Sequence, residues 1–344
     1  MKNIALVLSA ALLSGCSIFR APQPPQAITG ESVVLIGEEP AALARIPLST
    51  GSVQVRSSYR TGPGTIHYIE GKDFGLDRSA NTLRRLPRSR IPDFSTNMLF
   101  GQKAFNHNDF PGFGNGGFFA FVDYTHHDKT PWPVQPDQTA FLRASNEKLK
   151  AGQPFKIVAF GDSITAGGDA SSPDLIFWAR WADQLQRKYP RSHVTILNGA
   201  TGGDSTVQGL QRLQTKVLDH KPDLVLIGFG MNDHNISGVP TPDFERNLKE
   251  MIAKIRTQIS AEIILFSAFP PNPDWKFGSH RMKDYADATA RVAIDMHCAY
   301  ADVFNNWQSI AKRKKPEDLL GNNINHPNDF GHWIYFRVLS DLGL

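Results

Sequence analysis

The sequence has few cysteines, a small net charge and few long apolar runs. Only two cysteines occur among 344 residues, Cys16 and Cys298, and a disulfide framework is excluded if Cys16 is chemically modified. Beyond Cys16 no segment has the roughly 18 uncharged apolar residues that a transmembrane helix needs. The net charge is only +4, so the composition does not indicate a nucleic-acid partner and we expect none.

What is present indicates a globular protein with a sizeable core. The chain is long enough for about two domains, and 41% of its residues are hydrophobic. Basic residues cluster near Arg84–Arg90 and at Lys312–Lys315, where a solvated face is a more ordinary interpretation than an anion site. Cys298 falls in an apparent helix and is expected to be a small buried hydrophobe.

The first residues form a short apolar segment that ends at a cysteine. Lys2 precedes the apolar run Ile4–Leu13, which is followed by Ser14-Gly15-Cys16. This pattern resembles a bacterial lipoprotein signal. The resemblance implies that residues 1–15 are removed and that Cys16 is lipidated, which anchors the protein to a membrane without spanning it. Because Ser17 rather than Asp follows the cysteine, it implies an outer-membrane address facing the periplasm.

Composition divides the rest of the chain into three parts. Residues 16–48 are rich in Pro and Ala and are expected to form a tether with little structure. Residues 49–150 contain short strand-like runs broken by Gly and Pro, which predict a β-rich accessory region. Aromatic residues concentrate between Phe105 and Tyr124, where a compact β core or a seam against the next domain is favoured over a sugar-stacking surface. The histidines in this stretch lack the carboxylate or cysteine pattern of a metal site.

From residue 151 to 344 strand and helix patterns alternate. The apolar runs predict strands at 155–160, 194–197, 224–229 and 263–266. Helical spacing predicts helices at 175–189, 207–218, 244–259, 281–296 and 331–342. This alternation favours an α/β fold in which right-handed crossovers place helices on both faces of a parallel sheet.

Polar residues follow three of these strands and one late loop. The first strand runs into Gly161-Asp162-Ser163, where a following helix would leave free backbone N–H groups. The second runs into the glycine-rich segment Asn198–Asp204, and the third into Gly230–Asp233. A terminal helix is expected to hold His326, in the loop 323–328, over the sheet.

These four blocks resemble the SGNH, or GDSL-type, esterase and lipase family. The resemblance covers about residue 155 to the C-terminus and implies a flavodoxin-like, three-layer fold with a five-stranded parallel sheet. It implies that Ser163 is the nucleophile and His326 the base. The oxyanion donors would be the N–H groups of Ser163 and Gly203 and the side-chain amide of Asn232. The residues before 150 have no counterpart in it.

One position departs from the family pattern. The family usually has an acidic residue three positions before the histidine, and this chain has Asn323 there. An Asn carbonyl can accept the imidazole N–H but carries no charge to stabilise imidazolium. Three alternatives follow: a weakened triad or Ser–His dyad that uses Asn323, an acid recruited from elsewhere in the chain, or loss of catalysis.

The remaining polar residues near the blocks have structural interpretations. His332 is expected to pack or cap the last helix, and His234 to line the pocket or lie in a surface loop. Asp162, Asp204 and Asp233 are expected to brace turns and loops.

The sequence therefore predicts a serine hydrolase that cleaves carboxylic esters without metal or cofactor, with an O-acetyl group on a polysaccharide as the preferred substrate. The alternatives are a glycan-binding lipoprotein with weakened catalysis and an O-acyltransferase that uses the same residues.

Overall fold

The computed structural model describes residues 26–45, 53–126, 133 and 135–344. The predicted signal peptide, Cys16 and the first part of the predicted tether lie outside the described residues. None of the described helices is both long and apolar enough to cross a membrane.

The N-terminal part of the chain forms short strands. Their bounds are β1 Gln26–Val33, β2 Ala41–Ala42, β3 Gln54–Arg56, β4 His67–Tyr68, β5 Phe74–Asp77, β6 Thr82–Arg85 and β7 Ala120–His126. They build a four-stranded sheet in the order β1-β7-β3-β4 and a three-stranded sheet in the order β2-β6-β5, with antiparallel pairing throughout. Residues 49–150 are β-rich in their described part, as predicted.

The C-terminal part alternates helices and strands. The elements in chain order are α1 Arg143–Lys150, β8 Phe155–Gly161, α2 Ser163–Ala166, α3 Phe177–Lys188, β9 Val194–Asn198, α4 Thr206–Lys216, β10 Leu224–Gly228, α5 Thr241–Gln258, β11 Glu262–Phe266, α6 Met282–Asp295, β12 Ala299–Ala301, α7 Val303–Ala311, α8 Pro316–Leu319 and α9 Asp329–Ser340. The predicted strands and long helices are all found, with ends that shift by a few residues. Strand β12 and helix α7 were not predicted.

The central sheet has five parallel strands in the order β12-β11-β10-β8-β9. Every residue of β10 is buried, which is the physical reason for its uninterrupted apolar sequence. Helices α3, α7 and α9 pack together, and α4, α5 and α6 form a second group. This arrangement confirms the predicted fold class.

The order of the strands in the central sheet determines where a ligand site is expected. The chain runs from β8 out to β9 and then returns past β8 to β10, so the direction of winding reverses at β8. Open α/β sheets bind ligands at such a reversal, beyond the carboxyl ends of the strands. Ser163, at the start of α2, follows β8, and the loops after β9 and β10 carry Gly203 and Asn232.

The prediction that residues 16–48 form a tether with little structure is wrong for those of them that the structure describes. Strand β1 lies inside residues 16–48, pairs with β7 and is buried along its second half. Ser32 Oγ donates to the main-chain oxygen of Asp318 at 2.5 Å, and Val34 N donates to Asp318 Oδ1 at 2.8 Å. One continuous hydrophobic core joins buried residues of both parts of the chain, including Ile28 and Val55 with Ile157 and Leu226. Apolar β1 residues are ordered because they bury surface against the C-terminal part.

Three smaller expectations have mixed outcomes. Phe105 packs with Trp275 and Ile324, so part of the aromatic stretch forms the predicted seam. Cys298 is buried as expected, and burial raises the pKa of its thiol to about 11. The solvated-face interpretation is wrong for Lys314, whose side chain has no exposed surface and contacts Glu31.

Candidate active site

Ser163 lies at a sharp turn directly after the central strand β8. Asp162 has an extended backbone, and its side chain accepts from the N–H of Ile164 at 2.9 Å, which caps the short helix α2. Gly167, with φ of 103°, ends α2 after four residues. Asp162 is thus the turn-bracing residue that the sequence predicted.

His326 reaches Ser163 from the other end of the chain. Its Nε2 lies 2.8 Å from Ser163 Oγ. The histidine loop is closed by the N–H of Gly321, which donates to the main-chain oxygen of His326 at 2.9 Å. Helix α9 starts three residues after His326, capped by Asn328, and anchors the loop over the sheet. The structure therefore brings together the two side chains that the sequence analysis paired.

Asp169 contacts the second nitrogen of the imidazole. Its Oδ2 lies 2.9 Å from His326 Nδ1. Because an ionised carboxylate only accepts, Nδ1 carries the proton of a neutral imidazole, and Nε2 is left to accept from the Ser163 hydroxyl. Asp169 and His326 are 157 residues apart in sequence. Of the three alternatives left open, the geometry matches an acid recruited from elsewhere.

The expectation that Asn323 is the partner of His326 is wrong. Its side chain is buried, and its main-chain oxygen and Oδ1 accept from Asn272 Nδ2 at 2.8 Å and 3.3 Å. Asn323 has a left-handed backbone with φ of 58°, a conformation that Asn tolerates better than most residues. Its amide oxygen is therefore directed to Asn272, and Asp169 takes the place beside Nδ1.

Two glycines make room for the paired side chains of Asp169 and His326. A β-carbon at Gly168 would stand 2.8 Å from His326 Nδ1, and one at Gly321 would collide with the β-carbon of Asp169. Asp169 itself has φ of 58°. The run Gly167-Gly168-Asp169, which ends six residues beyond the nucleophile, was the sequence signal for this acid, although nothing in the spacing connected it to His326.

The loop that carries Gly203 approaches Ser163, and the Asn232 amide is bonded to that loop. The loop after β9 approaches closely, since a β-carbon at Gly202 would stand 3.9 Å from Ser163 Cβ. Gly203 has φ of 80°, which favours glycine. Asn232 Nδ2 donates one hydrogen to the main-chain oxygen of Asp204 at 2.9 Å, which fixes the amide and leaves its second hydrogen for a ligand.

Substituting Asn232 tests the amide donor. Because the amide is held in place before substrate binds, we expect Asn232→Ala to lower kcat for p-nitrophenyl acetate by about 10²–10³ with a smaller change in KM. Steady-state kinetics measure this. An unchanged kcat would contradict the role of the amide.

Two buried carboxyl groups support the loops of the site. Burial raises the pKa of Asp162 to about 7, and the Asp233 carboxylate adds to the shift. Burial also raises the pKa of Asp233 to about 6, against hydrogen bonds from Thr206 and Gly230 that favour its charged form. Asp204 pairs with Arg212. Asp204 and Asp233 thus brace loops, as predicted.

Two further histidines are buried beside the site. His332 lies at 5.9 Å and 13° from the ring of Phe177, and its Nε2 is 3.1 Å from the main-chain oxygen of Gly168, in agreement with the predicted packing role. His234 is fully buried against the main chain of Met231, so the interpretation as a surface-loop histidine is wrong. Burial lowers the pKa of each histidine to about 4.

Asp162→Asn tests the buried acid through the pH dependence of stability. The unfolded Asp ionises near pH 3.8, whereas the native group ionises near pH 7, so wild-type stability falls as pH rises through this window. Asn can still accept from Ile164 N and has no such dependence. We expect the variant to gain about 1–4 kcal/mol relative to wild type between pH 4 and 8, as measured by urea unfolding. A pH-independent difference would contradict this expectation.

No group of three or more His, Cys, Asp or Glu side chains in the described part of the chain is arranged to hold a metal ion. The polar groups that converge on Ser163 are instead an imidazole, a carboxylate and hydrogen-bond donors. This arrangement can remove a proton from a hydroxyl and stabilise an oxyanion.

The fold and the hydrogen-bonded series Ser163–His326–Asp169 define a serine hydrolase. Residues 159–334 match the GDSL-like lipase/acylhydrolase family, and this chain belongs to that family. It is an ester hydrolase, as the sequence predicted.

Named relatives extend the comparison. An arylesterase from Vibrio mimicus is 33% identical over 187 residues, which cover 54% of this chain and 88% of the relative. An acetylxylan esterase from Geobacillus stearothermophilus is 22% identical over 213 residues, which cover 57% of this chain and 97% of the relative. A solved two-domain esterase active on acetylated mannans is 21% identical with a TM-score of 0.49, covering 59% of this chain and 53% of that one.

Proposed function

We propose that the protein cleaves carboxylic esters through an acyl-enzyme on Ser163. The supporting observation is the continuous series of contacts at 2.8 Å and 2.9 Å that joins Ser163 Oγ to Asp169 through His326. A serine hydroxyl is a weak nucleophile until a neighbouring base takes its proton. His326 Nε2 takes that proton as Oγ attacks the carbonyl carbon, and Asp169 stabilises the resulting imidazolium.

The rest of the cycle uses the same groups. The carbonyl oxygen becomes negatively charged and accepts from the N–H groups of Ser163 and Gly203 and from the Asn232 amide. Collapse of the intermediate breaks the ester C–O bond, and the imidazolium gives its proton to the departing alcohol. Water then attacks the acyl-enzyme with His326 as base, which releases the acid and restores the serine.

A covalent probe tests this role of Ser163 directly. A fluorophosphonate should phosphonylate Ser163 Oγ with loss of fluoride, because the probe needs the same base and the same oxyanion donors as an ester. Intact mass and peptide mapping should show one label in wild type and in the exposed-serine control Ser79→Ala, and none in Ser163→Ala. Equal labelling of Ser163→Ala would contradict the proposal.

As substrate we propose an ester of a carbohydrate hydroxyl, with acetate as the acyl group. The acetylxylan esterase relative supports this choice. The accessory region also supports it, because its aromatic residues pack against the loop that carries His326. Acetate released from an acetylated xylo-oligosaccharide by wild type and not by Ser163→Ala is the expected result. Turnover of simple esters without any turnover of acetylated oligosaccharides would contradict the substrate.

We also propose that Cys16 is lipidated and holds the enzyme at the outer membrane, facing the periplasm. Support comes from the segment Lys2 to Cys16 and from Ser17. A bacterium that expresses the full chain and is fed an alkyne fatty acid should label the protein. Cys16→Ala should abolish the label and release the protein from membranes. A label that survives Cys16→Ala would contradict the proposal.

A further inference from the structure

A small cavity of about 200 Å³ lies beside the turn that follows β10. Three separate parts of the chain build it: the accessory region with His107 and Asn108, the turn with Asn235 and Ser237, and the loop before α6 with Trp275 and Phe277. A cavity of this size has room for one small ring.

The walls of the cavity are held in place by mutual contacts. Trp275 Nε1 donates to His107 Nδ1 at 3.1 Å. The rings of His107 and Phe277 meet edge to face with centroids 5.7 Å apart. Ile236 N donates to the main-chain oxygen of Phe277 at 3.0 Å, which ties the turn to the aromatic loop. The site is therefore formed before any ligand binds, which lowers the entropic cost of binding.

Backbone hydrogen bonds link the walls of the cavity to two segments of the catalytic centre. Asn235 N donates to the main-chain oxygen of Asn232 at 3.4 Å, so the cavity wall belongs to the same turn as the predicted amide donor. On the other side Trp275 N donates to Asn272 O at 3.1 Å, and Asn272 N donates to Ile324 O at 2.7 Å. Ile324 lies two residues before His326. The walls of the cavity are thus tied by backbone hydrogen bonds to the turn of Asn232 and to the loop of His326.

The lining combines flat apolar faces with short polar groups. Trp275 and Phe277 present aromatic surface, and Asn108, Asn235 and Ser237 carry amide and hydroxyl groups. His107 accepts at Nδ1, so its neutral ring carries the proton on Nε2 and can donate there. A sugar ring has an apolar face of C–H bonds and a rim of hydroxyls, which matches this lining. A purely apolar acyl chain would leave the polar groups of the lining without partners.

We propose that this cavity binds one sugar ring of an acetylated glycan, next to the ring whose ester is cleaved. The proposal rests on the proposed function and adds to it the place where the substrate is recognised. The accessory region would thus contribute to specificity through His107 and Asn108, outside the residues that match the family.

Phe277 is the side chain to substitute, because it is only partly buried and contributes no catalytic group. Kinetics should be measured on three acetate esters: an acetylated xylo-oligosaccharide, ethyl acetate and p-nitrophenyl acetate. We expect Phe277→Ala to lower kcat/KM about tenfold or more on the oligosaccharide, since removing an aromatic anchor typically costs more than about 1 kcal/mol. For ethyl acetate we expect kcat/KM of Phe277→Ala to stay within about twofold of the wild-type value, because this small ester does not extend into the cavity.

Two further variants keep the test decisive. Phe277→Leu keeps apolar bulk but removes the aromatic face, and we expect it to show the same selective loss. Phe141→Ala removes a phenylalanine that is 39% exposed in a different part of the chain. We expect this variant to keep the wild-type kcat/KM for all three esters. Circular dichroism melting curves establish that each variant is folded.

Other results would overturn the sugar site. They are an equal loss on all three esters, no loss on any, or a loss confined to p-nitrophenyl acetate, which would assign the cavity to an aryl group. Failure of the proposed function is a separate observation: wild type would then hydrolyse none of the esters and take no fluorophosphonate label.

Discussion

Replacement of Asp169 by Asn is expected to reduce kcat for p-nitrophenyl acetate by about 10²–10⁴ while the enzyme stays folded. The corresponding change in serine proteases spares the geometry and costs about 10⁴. The new side chain would present either a neutral carbonyl, which cannot stabilise imidazolium, or an amide N–H, which forces the wrong tautomer of His326. Asp169 is 36% exposed, so partial screening by solvent sets the lower end of the range.

Asn323→Asp is the matched control for that prediction. If Asn323 were the orienting residue, restoring the acid usual in the family would raise activity. In the structure its oxygen accepts from Asn272, and Asp169 already occupies the position beside Nδ1. We therefore expect no gain in kcat from Asn323→Asp. A gain together with an unaffected Asp169→Asn would return the role to residue 323.

The second large effect is on stability. Lys314→Met is expected to lower the free energy of unfolding by about 3–5 kcal/mol, the usual cost of removing one partner of a buried ion pair. Lys314 Nζ lies 2.9 Å from Glu31 Oε1, and neither side chain has exposed surface. Glu31 also accepts from Tyr124 OH and Ala44 N. Without the ammonium, the buried Glu31 carboxylate would lose the cation that lies 2.9 Å from its Oε1.

A surface pair provides the comparison. Lys283 and Asp287 form an exposed ion pair on α6, and Lys283→Met should cost no more than about 0.5 kcal/mol. The double variant Lys314→Met with Glu31→Gln should recover part of the loss, since it also removes the buried negative charge that Lys314 balanced. Urea unfolding at constant pH measures all three variants. Equal costs for Lys314→Met and Lys283→Met would contradict a stabilising role for the buried pair.

The Lys314 pair also shows why the domain boundaries were hard to predict. Residues 26–45 follow a proline-rich stretch and were predicted to belong to the tether, yet β1 pairs with β7 and packs on the C-terminal elements. A run of four basic residues normally lies in solvent, but Lys314 is drawn inside by Glu31, 283 residues away. Neither partner predicts the other from local sequence.

The sequence by itself determined the parallel sheet, because β10 is a continuous apolar run and β8 is interrupted only by the exposed Lys156, and such strands are buried in a doubly covered sheet. It also predicted that Ser163 and Asn232 lie at the same edge of the sheet, since parallel strands bring their carboxyl ends to one edge. The resemblance to the family placed Asn323 where the partner of His326 is usually found. Only the tertiary structure decided that the partner is Asp169, because this contact depends on how the loop 321–326 packs against Gly168 across 157 residues.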